Sequence, residues 1–265
     1  MAILKIFLVL IILIFVVIYG YYRFLLYRRP IRKFYEKRKA DSDYCLYNEF
    51  NPRFIKFLVK MEDSEFFEHK GLDFVSLKCA LIINHNAKKV VTGGSTITQQ
   101  LAKNIFFNFK KNYFRKFIEA MIALKIEKVL TKEEILELYL NIVYYGNGIY
   151  GTGAACRFYY DKNVSELSLN QMFLTADMLH APTAANPLTH PDVLERIRNQ
   201  SLERFHKIDM ITKEEYELIK SHDHTNLDPD MRPWDEKYLQ YSQVPLVNEK
   251  FGLPSQESGK WWKNA

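Results

Sequence analysis

Two adjacent carboxylates, Glu62 and Asp63, are the first residues of this sequence that suggest acid–base chemistry. They follow the apolar run FIKFLVKM and precede Phe66, His69 and Gly71. A carboxyl group that is partly buried at the end of an apolar run holds a proton more readily, which suits a general base. Acidic clusters also occur on solvated surfaces and at helix starts, so this segment alone leaves both interpretations open.

A glycine-rich loop followed by a polar helix start is the second candidate. The pair Gly93-Gly94 precedes hydroxyl and amide side chains, with a lysine about two turns further along the predicted helix. Free backbone N–H groups at a helix start bind phosphate or pyrophosphate. The loop lacks the Gly-Lys-Ser/Thr sequence of a P-loop, so an ordinary helix cap is the alternative. The polar residues concerned are Ser95, Thr96, Thr98, Gln99, Gln100, Lys103 and Asn104.

Aromatic and basic side chains are interleaved between residues 103 and 117, and Glu119 follows them. Such a mixture suits a surface that meets acyl chains and anionic phosphates together. A core helix with a solvated lysine face fits the same pattern, and the sequence alone does not separate the two. The aromatic residues are Phe106, Phe107, Phe109, Tyr113, Phe114 and Phe117, and the basic residues are Lys103, Lys110, Lys111, Arg115 and Lys116.

The elements that must position these residues are predicted to be helices. Capping-box patterns open several runs with apolar residues at helical spacing, whereas alternating strand patterns are almost absent, so the predicted fold class is all-α. The run from Gly146 to Gly151 has the G-x-G-x-x-G form of a dinucleotide site, but a helical run precedes it, which predicts a turn between helices. The four predicted helix starts are Thr131 to Glu134, Ser168 to Gln171, Asp192 to Glu195 and Thr212 to Glu215.

Composition narrows the class of protein. With 265 residues, of which 48% are hydrophobic, the chain can form a sizeable core, which excludes disordered, collagen-like and disulfide-scaffold proteins. The three cysteines, Cys45, Cys79 and Cys156, are odd in number and lack metal-type spacing, so we expect no disulfide framework. Cys79 and Cys156 lie in apolar or small-residue runs, which predicts that both are buried.

The N-terminal segment predicts a membrane anchor. Residues 6–22 carry no charge, are just long enough to span hydrocarbon, and lack the small-residue exit of a cleaved signal peptide. Residues 23–39 contain eight basic residues and one acid, a local charge of +7 in a chain of net charge +6, which leaves the remainder at −1. Binding to the charged membrane surface explains this basic excess better than binding to nucleic acid does. Phe34 and Tyr35 are expected at the lipid headgroups.

Five stretches occur in one order between about residues 57 and 187, which is roughly half of the chain. They resemble the motifs of the peptidoglycan glycosyltransferases, glycosyltransferase family 51, and the second stretch matches nearly residue for residue. The stretches are Glu62-Asp63-x-x-Phe66-x-x-His69-x-Gly71; Gly94-Ser95-Thr96-Ile97-Thr98-Gln99-Gln100-Leu-Ala-Lys103-Asn104; Arg115-Lys116-x-x-Glu119; Lys132-x-x-Ile135-Leu136-Glu137-x-Tyr139-Leu140-Asn141; and a looser fifth from Gly146 through Tyr159 and Lys162 to Ala181-Pro182.

The resemblance implies polymerisation of lipid II into β-1,4-linked glycan by inverting transfer from a polyprenyl-pyrophosphate donor. It makes Glu62 the general base and Glu119 the second catalytic carboxylate. A divalent cation, Mg²⁺ or Mn²⁺, would assist, with Asp63 as a candidate ligand. The implied substrate-binding residues are Phe66, His69, Ser95, Thr96, Gln99, Gln100, Lys103, Asn104, Arg115, Lys116, Glu137 and Asn141.

The resemblance also implies an architecture and a location. We expect a transmembrane anchor at 1–22, a basic juxtamembrane linker at 23–50, a lysozyme-like helical domain with a small membrane-embedded jaw at 51–222, and a tail at 223–265. The chain would be single-pass in the cytoplasmic (inner) membrane with its catalytic domain on the outer, periplasmic face. The positive-inside rule alone predicts the opposite orientation, because the basic residues follow the anchor.

The expected partners are lipid II, the growing glycan strand, the membrane and other cell-wall synthesis or division proteins, with no nucleic acid. The sequence has no Ser-x-x-Lys, so it resembles the monofunctional kind without a transpeptidase. Two alternatives stay open: a lysozyme-like peptidoglycan hydrolase, and a non-catalytic membrane scaffold of the cell-wall machinery.

Overall fold

The computed structural model describes residues 2–89, 93–107, 113–182 and 184–222, and within these ranges the chain is helical. The only β pairing in this part is an isolated bridge between Tyr144 and Tyr150. The predicted all-α class is confirmed, whereas the predicted tail at 223–265 lies outside the described residues. The α-helices are α1 Ala2–Arg28, α2 Ile31–Lys39, α3 Pro52–Glu62, α4 Phe74–Ala87, α5 Ile97–Phe106, α6 Tyr113–Ile126, α7 Lys132–Ile142, α8 Thr152–Tyr160, α9 Leu169–His180, α10 Pro191–Lys207 and α11 Lys213–Lys220.

Three of the four predicted helix starts are confirmed. Thr131, Ser168 and Thr212 each cap a helix, with reciprocal bonds between the cap and the residue three positions on. The start at Asp192 is wrong, because α10 begins at Pro191, whose fixed φ favours the first helical position. Asp192 therefore lies in the first turn of α10 and not at its cap.

Three aromatic rings join α3, α9 and α10 in the core. The ring centroids of Phe57 and Phe173 are 4.5 Å apart, and Phe205 lies 5.4 Å from each of them. All three side chains are buried. Glu62 and His180 are the last residues of α3 and α9, so this packing fixes where the two helix ends meet.

The two N-terminal helices differ in exposure, because α1 is largely exposed whereas α2 packs against the core. Helix α1 is long and apolar enough to cross a membrane, and most of its apolar side chains up to Tyr19 are exposed. Towards the other end of α1, the ring of Tyr21 lies 5.8 Å from the ring of Phe114 of α6, measured between centroids, and is tilted by 38°. The expected headgroup location of Phe34 and Tyr35 is wrong, because α2 packs both into the core. The domain boundary at residue 51 remains a prediction, although α2 already contacts α7.

Helix α4 presents an unusual apolar surface, because Ala80 is its one buried residue. Phe74, Val75 and Leu81 are all more than 60% exposed. Cys79 is also exposed, so its predicted burial is wrong, since it belongs to a helix that the described core does not cover. Cys45 and Cys156 are buried, and all three thiols are free.

Other exposed apolar residues lie on α6, where Phe114 and Phe117 are half exposed. Phe106, at the end of α5, is instead buried in the core. The interleaved aromatic and basic segment is therefore part core and part surface, and its residues 108–112 lie outside the described ranges.

The glycine-rich run between α7 and α8 forms a turn, as predicted. Gly146, Gly148 and Gly151 all have positive φ, and the bridge between Tyr144 and Tyr150 closes the turn. A Cβ at Gly146 would lie 2.7 Å from the carbonyl oxygen of Pro182, so the turn also needs close approach of two backbones.

Candidate active site

The Glu62 carboxylate is held at both of its oxygens. The Gln100 side-chain amide donates to Oε2 at 2.8 Å, and Oε1 lies 3.0 Å from Nδ1 of His180. The Tyr139 hydroxyl in turn donates to Oε1 of Gln100 at 3.0 Å, which fixes the amide orientation. Only 7% of the Glu62 side chain is exposed. This carboxylate is therefore preorganised at the meeting point of α3, α5 and α9.

His180 is a site residue that the sequence analysis missed. Its bond to Glu62 raises its pKa from the ordinary value of 6.5, an effect that burial opposes. The contact joins residues 118 positions apart, which no local pattern reveals. The available sequence signal was weak, since His180 is simply a basic residue in the last turn of a well-capped helix.

Asp63, the residue after Glu62, binds the start of α5 and His69. Its Oδ2 accepts the backbone N–H of Ile97 at 2.9 Å, at the first turn of α5, and both of its oxygens lie within 3.0 Å of Nε2 of His69. The backbone N–H of Gly71 donates to Nδ1 of His69, so Nε2 carries the proton that faces Asp63. Burial raises the pKa of Asp63, although these hydrogen bonds oppose the shift.

Several residues predicted to bind substrate build this local scaffold, and their contact with substrate stays a prediction. Phe66 is fully buried, and the ammonium group of Lys132 lies 4.4 Å from its ring centroid. Thr96 and Gln99 form the capping box of α5, and the Thr96 hydroxyl donates to the carbonyl of Gly71. Phe66, His69, Thr96 and Gln99 therefore stabilise the position of the cleft through contacts within the protein.

A charged cluster lies beside Glu62 on α5 and α6. Glu119 is 1% exposed and pairs with Arg115 at 2.8 Å and with Lys116 at 3.3 Å. Lys116 also donates to the Ser95 hydroxyl at 2.6 Å, which ties α6 to the loop before α5. Burial lowers the pKa of Lys103, while Glu119 and Glu62 act in the opposite direction.

A cleft of about 210 Å³ lies at Glu62 and Ser95. Glu62 lines it on one side and the glycine loop with Ser95 on another, and Arg204 of α10 completes the wall. Arg204 was absent from the predicted set. The predicted base and the loop that carries Ser95 therefore face one cavity, to which α10 adds a cation.

Glu137 and Asn141 bind α2 and the segment that follows it. Glu137 accepts from the hydroxyls of Tyr35 and Tyr44, both at 3.0 Å, and from the backbone N–H of Tyr47 at 2.6 Å. Asn141 exchanges two hydrogen bonds of 2.8 Å with the backbone of Cys45. These contacts are structural, and the predicted contact of both residues with substrate stays a prediction. Asn104 is half-buried on α5, and its contact with substrate stays a prediction.

The described residues do not fit a divalent cation held by the protein. They contain no group of three or more His, Cys, Asp or Glu side chains that could hold a metal ion. Asp63, the predicted ligand, has both oxygens engaged by Ile97 and His69. The divalent cation stays a prediction.

The described residues thus combine a helical fold with a preorganised carboxylate next to a cluster of cations, the groups that general-base catalysis and anion binding require. A family model described as Transglycosylase matches residues 28–206, and the chain belongs to this family.

Relatives share this region. Penicillin-binding protein 1A of Aquifex aeolicus is 45% identical over 163 residues, which are 62% of this chain and 22% of that protein. Penicillin-binding protein 4 of Bacillus subtilis is 33% identical over 205 residues, 77% of this chain and 32% of the relative. The solved structure of penicillin-binding protein 1A from Haemophilus influenzae is 29% identical and covers 52% of this chain and 17% of its own, with a TM-score of 0.34. The chain thus spans about a fifth to a third of these relatives.

Proposed function

We propose that this protein is a peptidoglycan glycosyltransferase that polymerises lipid II into β-1,4-linked glycan strands. The observation that carries the proposal is the Glu62 carboxylate, fixed by Gln100 and His180 beside the cations around Glu119, in a chain of the Transglycosylase family. The acceptor is the 4-hydroxyl of one lipid-linked disaccharide, and the donor is a second lipid-linked glycan.

In this reaction Glu62 is the general base. The acceptor hydroxyl attacks the anomeric carbon of the donor while its proton passes to Glu62, and the bond to the pyrophosphate oxygen breaks on the opposite face. Each carboxylate oxygen has two lone pairs, so the hydrogen bond from Gln100 and the contact with His180 leave room for the hydroxyl. The products are an inverted glycosidic bond, polyprenyl pyrophosphate and a protonated Glu62.

The cations stabilise the departing pyrophosphate. Lys103, Arg115 and Lys116 lie around the buried Glu119, which holds Arg115 and Lys116 in place before substrate arrives. Burial lowers the pKa of Lys103, which shows that its ammonium group is shielded from water. Because charges interact more strongly in such surroundings than in water, protonated Lys103 stabilises an anion that develops beside it more than a solvated lysine would. The interaction is therefore strongest in the transition state, as catalysis requires.

The membrane placement follows from the same proposal. Helix α1 acts as a single-pass anchor, and the exposed apolar residues of α4 and α6 lie in the outer half of the bilayer. We place the catalytic domain on the outer face of the cytoplasmic membrane, because lipid-linked precursor is polymerised there, and long domains can cross despite local positive charge.

The test is polymer formation by the full chain in detergent. Purified protein is incubated with labelled lipid II, with and without Mg²⁺, and the products are separated by size. We expect polymer from the wild type and from Glu65→Gln, which removes an exposed acid of the same segment, and none from Glu62→Gln.

The other outcomes are informative. A Glu62→Gln variant that melts like the wild type and still forms polymer refutes the assignment of the base. Shortening of preformed glycan without polymer supports a hydrolase. Absence of both activities in the folded wild type supports a scaffold.

A further inference from the structure

Glu62 must lose a proton after every transfer, and one of its two polar neighbours cannot accept it. Gln100 contacts Glu62 through an amide nitrogen, which has hydrogens to donate and no lone pair for a proton. Behind Gln100 lies the hydroxyl of Tyr139, and burial raises its pKa well above the usual value. The Gln100–Tyr139 side of the carboxylate is therefore a closed path for protons.

His180 lies on the other side and has the opposite properties. Its Nδ1 is 3.0 Å from Oε1 of Glu62, whereas 63% of its side chain is exposed. The Glu62 side chain itself is only 7% exposed, and a substrate in the cleft would cover it further. We propose that His180 is the proton exit of Glu62, and this inference rests on the proposed function.

The proton leaves Glu62 through the two ring nitrogens of His180. Neutral His180, protonated at Nε2, accepts at Nδ1 the proton that Glu62 took from the acceptor hydroxyl, and Glu62 becomes a carboxylate again. The imidazolium then releases the Nε2 proton to water. The exposed ring then takes up a proton from water at Nε2 and, once it turns away from Glu62, releases its Nδ1 proton to water. The net result is one proton passed from Glu62 to water, and the Nδ1 lone pair is free for the next transfer.

Charged groups on three helices act on His180. Glu62 of α3 and Asp177 of α9 raise its pKa, whereas Arg204 of α10 and burial lower it. His180 ends α9 and Glu62 ends α3, and the partial negative charge of a helix C-terminus favours the imidazolium. At pH values below the pKa of His180 the ring already carries its proton and cannot accept another, so turnover falls with acid.

The experiment combines His180→Ala and His180→Gln with added imidazole. Turnover of labelled lipid II is measured from pH 5 to 9 in the full chain, with the exposed His190→Ala as the matched control. We expect kcat of His180→Ala to fall about 10-fold or more, because acid–base groups contribute about 10²–10⁴-fold, while KM changes less than about 2-fold. Glutamine retains a hydrogen bond to Glu62 but accepts no proton, so we expect it to fail equally.

Imidazole distinguishes a proton exit from a structural contact. We expect added imidazole to restore most of the kcat of His180→Ala. The fall of kcat at low pH, which we call the acid limb of the pH profile, should then follow the protonation of the added imidazole. His190→Ala should keep wild-type kcat and the wild-type acid limb. An unchanged kcat and an unchanged acid limb in His180→Ala would overturn the inference. Wild-type kcat in His180→Gln would also overturn it, because glutamine can only position Glu62.

An independent readout separates this inference from the proposed function. The NMR titration of His180 needs no substrate, and we expect its pKa to fall in Glu62→Gln. A wild type without polymerase activity sinks the proposed function whatever the titration gives. An active wild type with an indifferent His180→Ala overturns the proton exit alone.

Discussion

Asp177 allows the effect of one buried acid on stability to be calculated. It lies in α9, one turn before His180, and is fully buried. Oδ1 accepts the hydroxyl of Ser201 at 2.7 Å, while Oδ2 has no hydrogen-bond partner among the described residues. Burial raises the pKa of Asp177 to about 7, against 3.8 in the unfolded chain, although the Ser201 bond opposes the shift.

The sign of the effect follows from proton binding. Between about pH 4 and 7 the folded protein binds one proton more than the unfolded chain, so the contribution of Asp177 to stability is lost as pH rises. One proton changes the free energy of unfolding by about 1.4 kcal/mol per pH unit, which gives on the order of 4 kcal/mol over this interval. Asn at this position is neutral at every pH and escapes the loss.

The assay compares melting temperatures of wild type and Asp177→Asn in one detergent from pH 4 to 8. At this chain length about 1 kcal/mol shifts Tm by roughly 2–4 °C, so we expect the variant to gain about 8–16 °C on the wild type across the range. The exposed Asp209→Asn should show a flat difference. A flat difference for Asp177→Asn as well would refute a protonated Asp177 in the folded protein.

Three further predictions concern stability and exposure. Glu137→Ala should lower the free energy of unfolding by about 3–5 kcal/mol in denaturant titrations, because two tyrosine hydroxyls and one backbone N–H lose their acceptor at about 1–3 kcal/mol each, whereas the exposed Glu133→Ala should cost under about 0.5 kcal/mol. Gly146→Ala should lower Tm through a cost of about 1–3 kcal/mol, because its φ is +85° and its new Cβ would meet a backbone oxygen. A membrane-permeant maleimide should label Cys79 in the folded protein in detergent well before the two buried thiols, which react only after denaturation.

Local signals in the sequence predicted local structure well. The caps at Thr131, Ser168 and Thr212 were correct, because capping depends on residues three positions apart. The start at Asp192 failed because the neighbouring proline competes for the same place. The exposure of Cys79 was missed because an apolar run does not reveal whether the protein core covers it.

The site was predicted in part. The sequence identified Glu62, Lys103 and Glu119, which the fold brings to neighbouring positions. It did not separate residues that line the cleft, such as Ser95, from residues that hold segments of the protein together, such as His69 and Glu137, because a motif records only that they are needed. The contact of Glu62 with His180 depends on the packing of α3 against α9, which lies beyond any local pattern.

The close approach at Gly94 connects the cleft to the surroundings of the protein. A Cβ there would lie 2.8 Å from Cα of Leu77, so the loop that carries Ser95 rests directly on the exposed apolar helix α4. If α4 lies in lipid, substrate and enzyme meet in two dimensions, and their encounter rate depends on mole fraction in the bilayer or micelle. Added detergent then lowers the rate even when the bulk concentrations of enzyme and substrate are constant, because it dilutes both within the micelles. Detergents whose micelles differ in hydrocarbon thickness give different kinetic constants for the same active site.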